Sequence, residues 1–242
     1  MIVERSMSEG FLTNTYLVAA GPGSKAFLVD AGGPLQPLID AADEHSLSVT
    51  HILLTHHHHD HVCDLDEARE QWPHALVMAN PTEEIAGTEP LNPGDTVTIG
   101  DLTVTAIGTP GHTGGMLNLL VNGQLFTGDT LFKGSVGGVR APGSTSFADI
   151  KHSIMDVILK LPGETVLRPG HTDPSTVADE LEHNPFVRIW RGLDPEGNEP
   201  CKALGDDATL VLWGPDYDGG HKAWVRWPDG SDDIVPGSKV ER

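Results

Sequence analysis

The sequence has few cysteines and few basic residues, and it contains no long apolar run. Its two cysteines, Cys63 and Cys201, are too few for a disulfide framework, so a reduced, cytoplasmic setting is the simpler expectation. No apolar run reaches the roughly 18 residues of a membrane-spanning helix, and residues 1–10 lack the basic and apolar parts of a signal peptide. With 15 basic against 35 acidic residues, the formal charge of −20 argues against nucleic acid and anionic membranes as partners.

The residues that are present predict an ordinary folded protein. A chain of 242 residues with 38% hydrophobic content is sufficient for one large domain, alone or with a small appendage. Its 13 histidines are numerous. Their positions at the ends of apolar runs are more informative than their number.

Residues 55–61 read Thr-His-His-His-His-Asp-His and follow an apolar run that is typical of a buried strand. In a chain that leaves a strand, side chains two residues apart point the same way, so His56 and His58 can converge on one point. As the backbone bends, Asp60 and His61 can turn toward a neighbouring point. The pattern indicates a pair of metal ions, each of which needs further ligands from elsewhere in the chain.

Apolar periodicity, with glycine and proline between the runs, predicts strands and helices in mixed order. The predicted strands are 2–5, 14–20, 25–30, 49–54, 75–79, 95–99, 102–109, 116–121, 124–127 and 165–168. The predicted helices are 34–45, 64–71, 81–86, 147–161 and 175–183. Residues 134–146 are rich in glycine and predict a loop. This order favours an α/β layered fold.

The character of the sequence changes after Arg191. Residues 192–207 are polar, contain glycine and proline, and predict a linker. Residues 208–242 contain three short runs with strand character and three of the five tryptophans. So short a segment is marginal alone, and it could form a small SH3-like barrel or dock as an extra sheet. We expect a structural or dimer role for it rather than a binding role.

Three further polar residues each follow a glycine at the end of a predicted strand. His112 lies in Pro-Gly-His-Thr, Asp129 in Gly-Asp-Thr, and His171 in a second Pro-Gly-His-Thr. In layered α/β proteins, sites gather at the ends of strands. These residues are therefore candidates for the missing metal ligands.

With these motifs in place, the chain resembles the metallo-β-lactamase superfamily, and within it the short bacterial type of glyoxalase II, the hydroxyacylglutathione hydrolases. The resemblance covers roughly residues 2–191. The matching motifs are Thr55–His61, Gly111-His112-Thr113, Phe126–Phe132, Pro169-Gly170-His171 and Asn184-Pro185-Phe186.

The resemblance implies an αββα four-layer sandwich as the catalytic domain (residues 1–191). The small β-rich C-terminal segment lies outside the resemblance and is expected to be an appendage. It implies two divalent metal ions, with zinc favoured over iron or manganese. The first ion would be bound by His56, His58 and His112, the second by Asp60, His61 and His171, and Asp129 would bridge them. Asp30 and Thr55 are candidates for orienting these ligands, whereas His57 and His59 should point away.

The implied activity is hydrolysis of an ester-like acyl bond by a metal-bridging hydroxide, with Asp60 and Asp129 as catalytic carboxylates. The expected substrate is a small acyl thioester, such as an S-hydroxyacyl derivative of a low-molecular-weight thiol. Lys133, Arg140 and Arg188 are candidates for substrate contact, although Gly138 stands where relatives carry a basic residue.

Three alternatives to this activity stay open. The first is an oxidoreductase that resembles the mononuclear-iron persulfide dioxygenases of the same superfamily. The second is a lactonase or phosphodiesterase that uses the same dinuclear site. The third is a non-catalytic scaffold whose C-terminal segment binds a partner. A homodimer is also compatible with the sequence.

Overall fold

The computed structural model describes all 242 residues, and its centre is a pair of six-stranded sheets that face each other. The first sheet contains, in spatial order, β1 (Ile2–Met7), β2 (Asn14–Ala19), β3 (Lys25–Val29), β4 (Ser48–Leu53), β5 (Leu76–Ala79) and β6 (Glu89–Pro90). The second contains, in spatial order, β14 (Ser175–Thr176), β13 (Val166–Pro169), β10 (Gln124–Gly128), β9 (Leu117–Val121), β8 (Leu102–Gly108) and β7 (Thr96–Ile99). A short hairpin, β11 (Leu131–Phe132) with β12 (Ser135–Val136), follows β10.

Both sheets are mixed. Strands β1, β2 and β3 are antiparallel neighbours, whereas β3, β4 and β5 run parallel. In the second sheet, β10 is antiparallel to β9 and parallel to β13. The ends of β4, β10 and β13 therefore deliver the residues that follow them to one edge of the sandwich.

Six helices pack on the outer faces of the two sheets or lie at their edge. They are α1 (Gln36–Glu44), α2 (His59–Val62), α3 (Leu65–Gln71), α4 (Phe147–His152), α5 (Val177–His183) and α6 (Pro185–Trp190). None of the helices has the length and apolar character needed to span a membrane.

Strand alternation assigns the buried side chains to separate layers of the core. In β2, Leu17 packs with Leu38 of α1 and Ala68 of α3, whereas Tyr16 and Val18 point toward the second sheet. Burial of each large apolar side chain contributes about 1.5–3 kcal/mol, and both faces of β2 are buried. The predicted αββα sandwich is confirmed.

Two predicted helices differ from the observed ones. The predicted helix 147–161 is α-helical only as far as His152, continues as a π-helix over Ser153–Val157, and ends as a 3-10 turn over Ile158–Lys160. Pro162 follows and disfavours helical geometry in the residue before it. The predicted helix 81–86 is a single 3-10 turn, Pro81–Glu83, because the next residue adopts a left-handed φ of 53°.

The C-terminal segment forms a five-stranded sheet. Its spatial order is β18 (Asp232–Pro236), β17 (His221–Arg226), β16 (Asp206–Pro215), β15 (Glu199–Ala203) and β19 (Val240–Glu241). Strand β15 lies inside the range predicted as a linker, so that part of the prediction is wrong. Cys201 and Ala203 are buried in β15, and Lys202 between them is exposed. This alternation spans too few residues to predict a strand in a segment that contains several glycines and prolines. The rest of the division into domains stays a prediction.

The C-terminal sheet docks on the main sandwich. From one of its faces, Val211, Trp224 and Ile234 enter the same core as Ile154 and Phe186 of the helical layer. The opposite face has a small apolar cluster of its own around Ala223, Val225 and Val235. The segment is therefore docked on the main domain, and its SH3-like character stays a prediction with which the strand order and the 3-10 turn Gly237–Lys239 before β19 are compatible.

Candidate metal centre

Seven histidine and aspartate side chains meet at the edge where the strands of both sheets end. They come from the segment after β4 and from α2, and from the residues that follow β8, β10 and β13. Their donor atoms form three groups, each within 4.8 Å: His56 with His58 and His112, His56 with His61 and Asp129, and Asp60 with His61 and His171. The structure thus brings together all seven residues that the sequence predicted as metal ligands.

Asp129 occupies the position between the groups. Its Oδ1 lies 3.2 Å from Nε2 of His61, and its Oδ2 lies 3.2 Å from Nε2 of His171 and 3.5 Å from Nε2 of His112. His112 belongs to the first predicted ion site, and His61 and His171 belong to the second. A carboxylate in this position is able to bridge two ions.

Each histidine is oriented through its second ring nitrogen, which leaves the other nitrogen directed into the centre. A histidine that binds metal is normally held in this way, which fixes its tautomer and its ring orientation. The orienting contacts are His56 Nδ1 to Thr55 Oγ1 (2.9 Å), His58 Nε2 to Pro142 O (2.8 Å), His61 Nδ1 to Asp30 Oδ2 (2.8 Å), His112 Nδ1 to Gly138 O (2.8 Å) and His171 Nδ1 to Leu12 O (3.1 Å).

Three atoms of the centre are buried without a hydrogen-bond partner: Nε2 of His56, Nε2 of His61 and Oδ1 of Asp129. Buried polar atoms are almost always paired, because an unpaired one costs about 1–3 kcal/mol. Imidazole nitrogens and carboxylate oxygens are the ligands of Zn²⁺ and of related divalent ions. The donor set therefore fits a pair of divalent metal ions.

Burial and local charge put several of these groups in the form that binds metal. Burial lowers the pKa of His56 well below its ordinary value and lowers the pKa of His112 to about 4. Burial alone would raise the pKa of Asp129, but the adjacent His171 and His61 outweigh it and hold that pKa well below its usual range. Neutral imidazoles and an ionised carboxylate are the ligand forms that metal binding requires. Burial alone would lower the pKa of His61, but Asp129 and Asp30 outweigh it and raise that pKa, so this imidazole must release a proton when a metal ion binds.

Asp30 supports the centre from behind. It is 2% exposed, and its carboxylate accepts hydrogen bonds from Thr55 N at 2.7 Å and from Thr55 Oγ1 at 2.9 Å, besides its contact with His61. Its φ of 60° lies in the left-handed region, which aspartate tolerates better than most residues. Asp30 and Thr55 thus lie directly behind two of the predicted ligands.

Glu83 is a buried residue beside the centre that the sequence did not single out. It is 5% exposed, and its Oε2 accepts a hydrogen bond from His57 N at 2.8 Å and contacts His57 Nδ1. Its Oε1 accepts a hydrogen bond from Thr113 Oγ1 at 2.7 Å. Glu83 therefore ties together the segments that carry His56 and His112. Its sequence context, Pro-Thr-Glu-Glu, has no feature that distinguishes it from a solvated acidic turn.

The three basic residues predicted to contact substrate occupy different places. Arg140 lines a cavity of about 240 Å³ beside His112 and Asp129. Lys133 lines a separate cavity, and Arg188 is paired with Asp194 through contacts of 2.6 and 2.8 Å. Of the three predicted contacts, the structure places only Arg140 beside the metal centre.

The cavity beside the centre has a second wall that the sequence did not predict. It is formed by the C-terminal sheet, through Asp216, Tyr217, Lys222 and residues 234–236. The ring of Tyr217 stacks on that of His171, with centroids 4.0 Å apart and planes inclined by 12°. The C-terminal segment therefore contributes to the site itself.

Comparison with known proteins supplies the evolutionary context. A family model of the metallo-beta-lactamase superfamily matches residues 9–171. A hydroxyacylglutathione hydrolase of Photobacterium profundum is 34% identical over 164 residues, which cover 66% of this chain and 64% of that protein. The match to the family includes all seven metal-ligand candidates and ends before the C-terminal sheet.

Two solved structures share the fold. ETHE1 of Myxococcus xanthus has a TM-score of 0.68 at 27% identity, covering 80% of this chain and 92% of that chain. TTHA1623 in a di-iron-bound form has a TM-score of 0.65 at 27% identity, covering 75% of this chain and 98% of that chain. The second of them shows that iron binds within this fold.

Proposed function

Because this chain belongs to the metallo-beta-lactamase superfamily, we propose that it is a dinuclear metal-dependent hydrolase that cleaves small acyl thioesters. The expected substrate is an S-hydroxyacyl derivative of a low-molecular-weight thiol. The observation that carries the proposal is the set of seven donors, with Asp129 located between two groups of histidines. The similarity to hydroxyacylglutathione hydrolases supports the reaction class.

We propose that His56, His58 and His112 hold one ion, that Asp60, His61 and His171 hold the other, and that Asp129 contacts both. Zinc is the proposed metal, with iron and manganese as alternatives. When bound, the ions would supply a water of lowered pKa and an electrophile for the carbonyl oxygen.

The side chains of the centre would orient the reaction. Thr13 Oγ1 donates to Asp60 Oδ2 at 2.9 Å, which fixes that carboxylate 3.5 Å from His171 Nε2. Held in this way, Asp60 can accept a proton from the attacking water. A thiolate leaving group needs little protonation, because the thiol pKa is about 8.5. The chain therefore requires no separate general acid for a thioester.

The thiol carrier and the cellular setting are further proposals. The two cysteines are free, with Cys63 exposed and Cys201 buried, which supports the expected cytoplasmic setting. The match to the Photobacterium hydrolase spans only 64% of that protein. The proposed thiol carrier is therefore glutathione or another low-molecular-weight thiol. A homodimer stays a prediction that light scattering would test.

The test is metal content together with hydrolysis of a panel of thioesters, lactones and phosphodiesters by the purified protein. We expect two metal ions per chain and the highest kcat/KM on thioesters. His58→Ala should abolish activity, whereas His59→Ala should not, because the side chain of His59 is exposed and contacts Phe11 rather than the centre. One iron per chain with oxygen consumption on a persulfide would overturn the proposal in favour of the oxidoreductase.

A further inference from the structure

The hairpin between β16 and β17 extends from the C-terminal sheet to the metal centre. It carries Asp216 and Tyr217 in its turn and Lys222 at the start of β17. The turn is closed by a hydrogen bond from Asp216 N to Gly220 O of 3.1 Å. The residues at the tip of this hairpin therefore have fixed positions beside the cavity.

Lys222 holds the hairpin against the main domain. It is 5% exposed, and its Nζ donates to Val136 O at 2.7 Å and pairs with Asp216 Oδ1 at 3.0 Å. The same Nζ lies 5.1 Å from the ring centre of Phe132 and 5.7 Å from that of Tyr217. A buried lysine with this many contacts anchors the loop, and its charge is balanced by Asp216.

Arg140, on the other side of the cavity, is also neutralised. Its guanidinium pairs with Asp233 of β18 and lies 5.5 Å from the ring centre of Trp227. Both Lys222 and Arg140 thus have an aspartate partner in the C-terminal segment. Apart from the proposed metal ions, the cavity lining therefore offers no unpaired basic side chain to an anionic substrate group.

The rest of the wall is apolar apart from one hydroxyl group. Its apolar members are Phe132, Ala141, Ile234, Val235 and Pro236. The chain has two tyrosines, and Tyr16 donates its hydroxyl to Pro169 O at 2.8 Å. The Tyr217 hydroxyl makes no hydrogen bond within the chain, although its ring is fixed against His171. It is therefore a placed donor available to a bound molecule.

We propose that the C-terminal sheet is the acyl-recognition element of the enzyme. The cavity binds the uncharged acyl group of the thioester against its apolar wall, and the Tyr217 hydroxyl donates a hydrogen bond to an oxygen of that group. This inference rests on the proposed thioester hydrolysis and specifies the part of the substrate that the C-terminal sheet contacts. It replaces the structural or dimer role that the sequence suggested for these residues.

The experiment compares acetyl, propionyl, lactoyl, hexanoyl and succinyl thioesters of one carrier thiol. For the wild type, we expect uncharged acyl groups to exceed succinyl in kcat/KM. Tyr217→Phe keeps the ring stack and removes the donor, so kcat/KM on the preferred thioester should fall about tenfold or more. Ala141→Leu narrows the cavity, so hexanoyl should lose more activity than acetyl.

His221→Ala is the matched control. His221 lies on the same hairpin, is exposed and stacks on Trp213 with centroids 4.9 Å apart, and it does not line the cavity. Its kinetics should equal those of the wild type. All variants should keep the wild-type metal content and melting temperature, which separates substrate recognition from folding.

Three results would overturn the inference. If the wild type hydrolyses thioesters but Tyr217→Phe and Ala141→Leu leave the acyl series unchanged, the inference fails while the proposed function stands. Preference for succinyl in the wild type has the same consequence. If the wild type hydrolyses no thioester, the proposed function fails and the inference fails with it.

Discussion

Asp30→Asn tests whether the contacts behind the ligands set metal affinity. The asparagine oxygen can still accept the hydrogen bond from Thr55 N, which is 2.7 Å long in the wild type. Its amide group would then replace Oδ2, which now lies 2.8 Å from His61 Nδ1. Because an amide NH₂ only donates, it would favour the His61 tautomer whose proton is on Nε2, the nitrogen that faces Asp129.

The expected loss is about 10- to 100-fold in affinity for the ion that His61 binds, or about 1.4–2.7 kcal/mol. The free energy of unfolding should fall by about 1–3 kcal/mol, because a buried acceptor is lost. The assay is titration of the metal-free protein with Zn²⁺ against a competing chelator, with urea unfolding beside it. Asp43→Asn, at an exposed position in α1, is the control. Unchanged affinity for both ions in Asp30→Asn would refute the role given to this carboxylate.

The remaining predictions concern parts that support the site. Glu83→Gln should lower Zn²⁺ affinity about tenfold in the same titration, because the amide cannot accept from both His57 and Thr113; wild-type affinity would contradict this. Trp224→Ala should lower the free energy of unfolding, measured in urea, by about 3–5 kcal/mol, because Trp224 is 2% exposed in the core beneath the C-terminal sheet. A loss below about 1 kcal/mol would contradict tight docking of this sheet. Ser146→Ala should cost about 1 kcal/mol, because Ser146 Oγ accepts from Asp149 N at the start of α4, and an unchanged unfolding curve would count against that cap.

The grouping of the seven candidate ligands was predictable from the sequence because local signals mark them. His112, Asp129 and His171 each follow a glycine at the end of an apolar run, and strand ends meet at one edge in a layered fold. The alternation that separates His56 and His58 from their neighbours is also local, and in the structure His57 contacts Glu83 and belongs to none of the three donor groups.

The parts that could not be predicted depend on contacts between distant segments. Tyr217 stacks on His171, which lies 46 residues earlier in the chain, and Lys222 donates to Val136 O. No motif or residue spacing in the sequence indicates either contact. Arg188 was a reasonable candidate by its charge, but its pairing with Asp194 becomes visible only when the turn after α6 is known. The polar composition of residues 199–203 predicts a linker. In the structure these residues form a strand because they pair with β16 and β19.

The most direct test of the central claim is reconstitution of the metal-free protein with increasing Zn²⁺ while hydrolysis of an acyl thioester is followed. Six donors arranged around Asp129 predict no activity without metal and a rise to a plateau at two equivalents per chain. Full thioesterase activity without metal would contradict a dinuclear hydrolytic centre. A plateau at one equivalent, or bound metal without thioester hydrolysis, would contradict it equally.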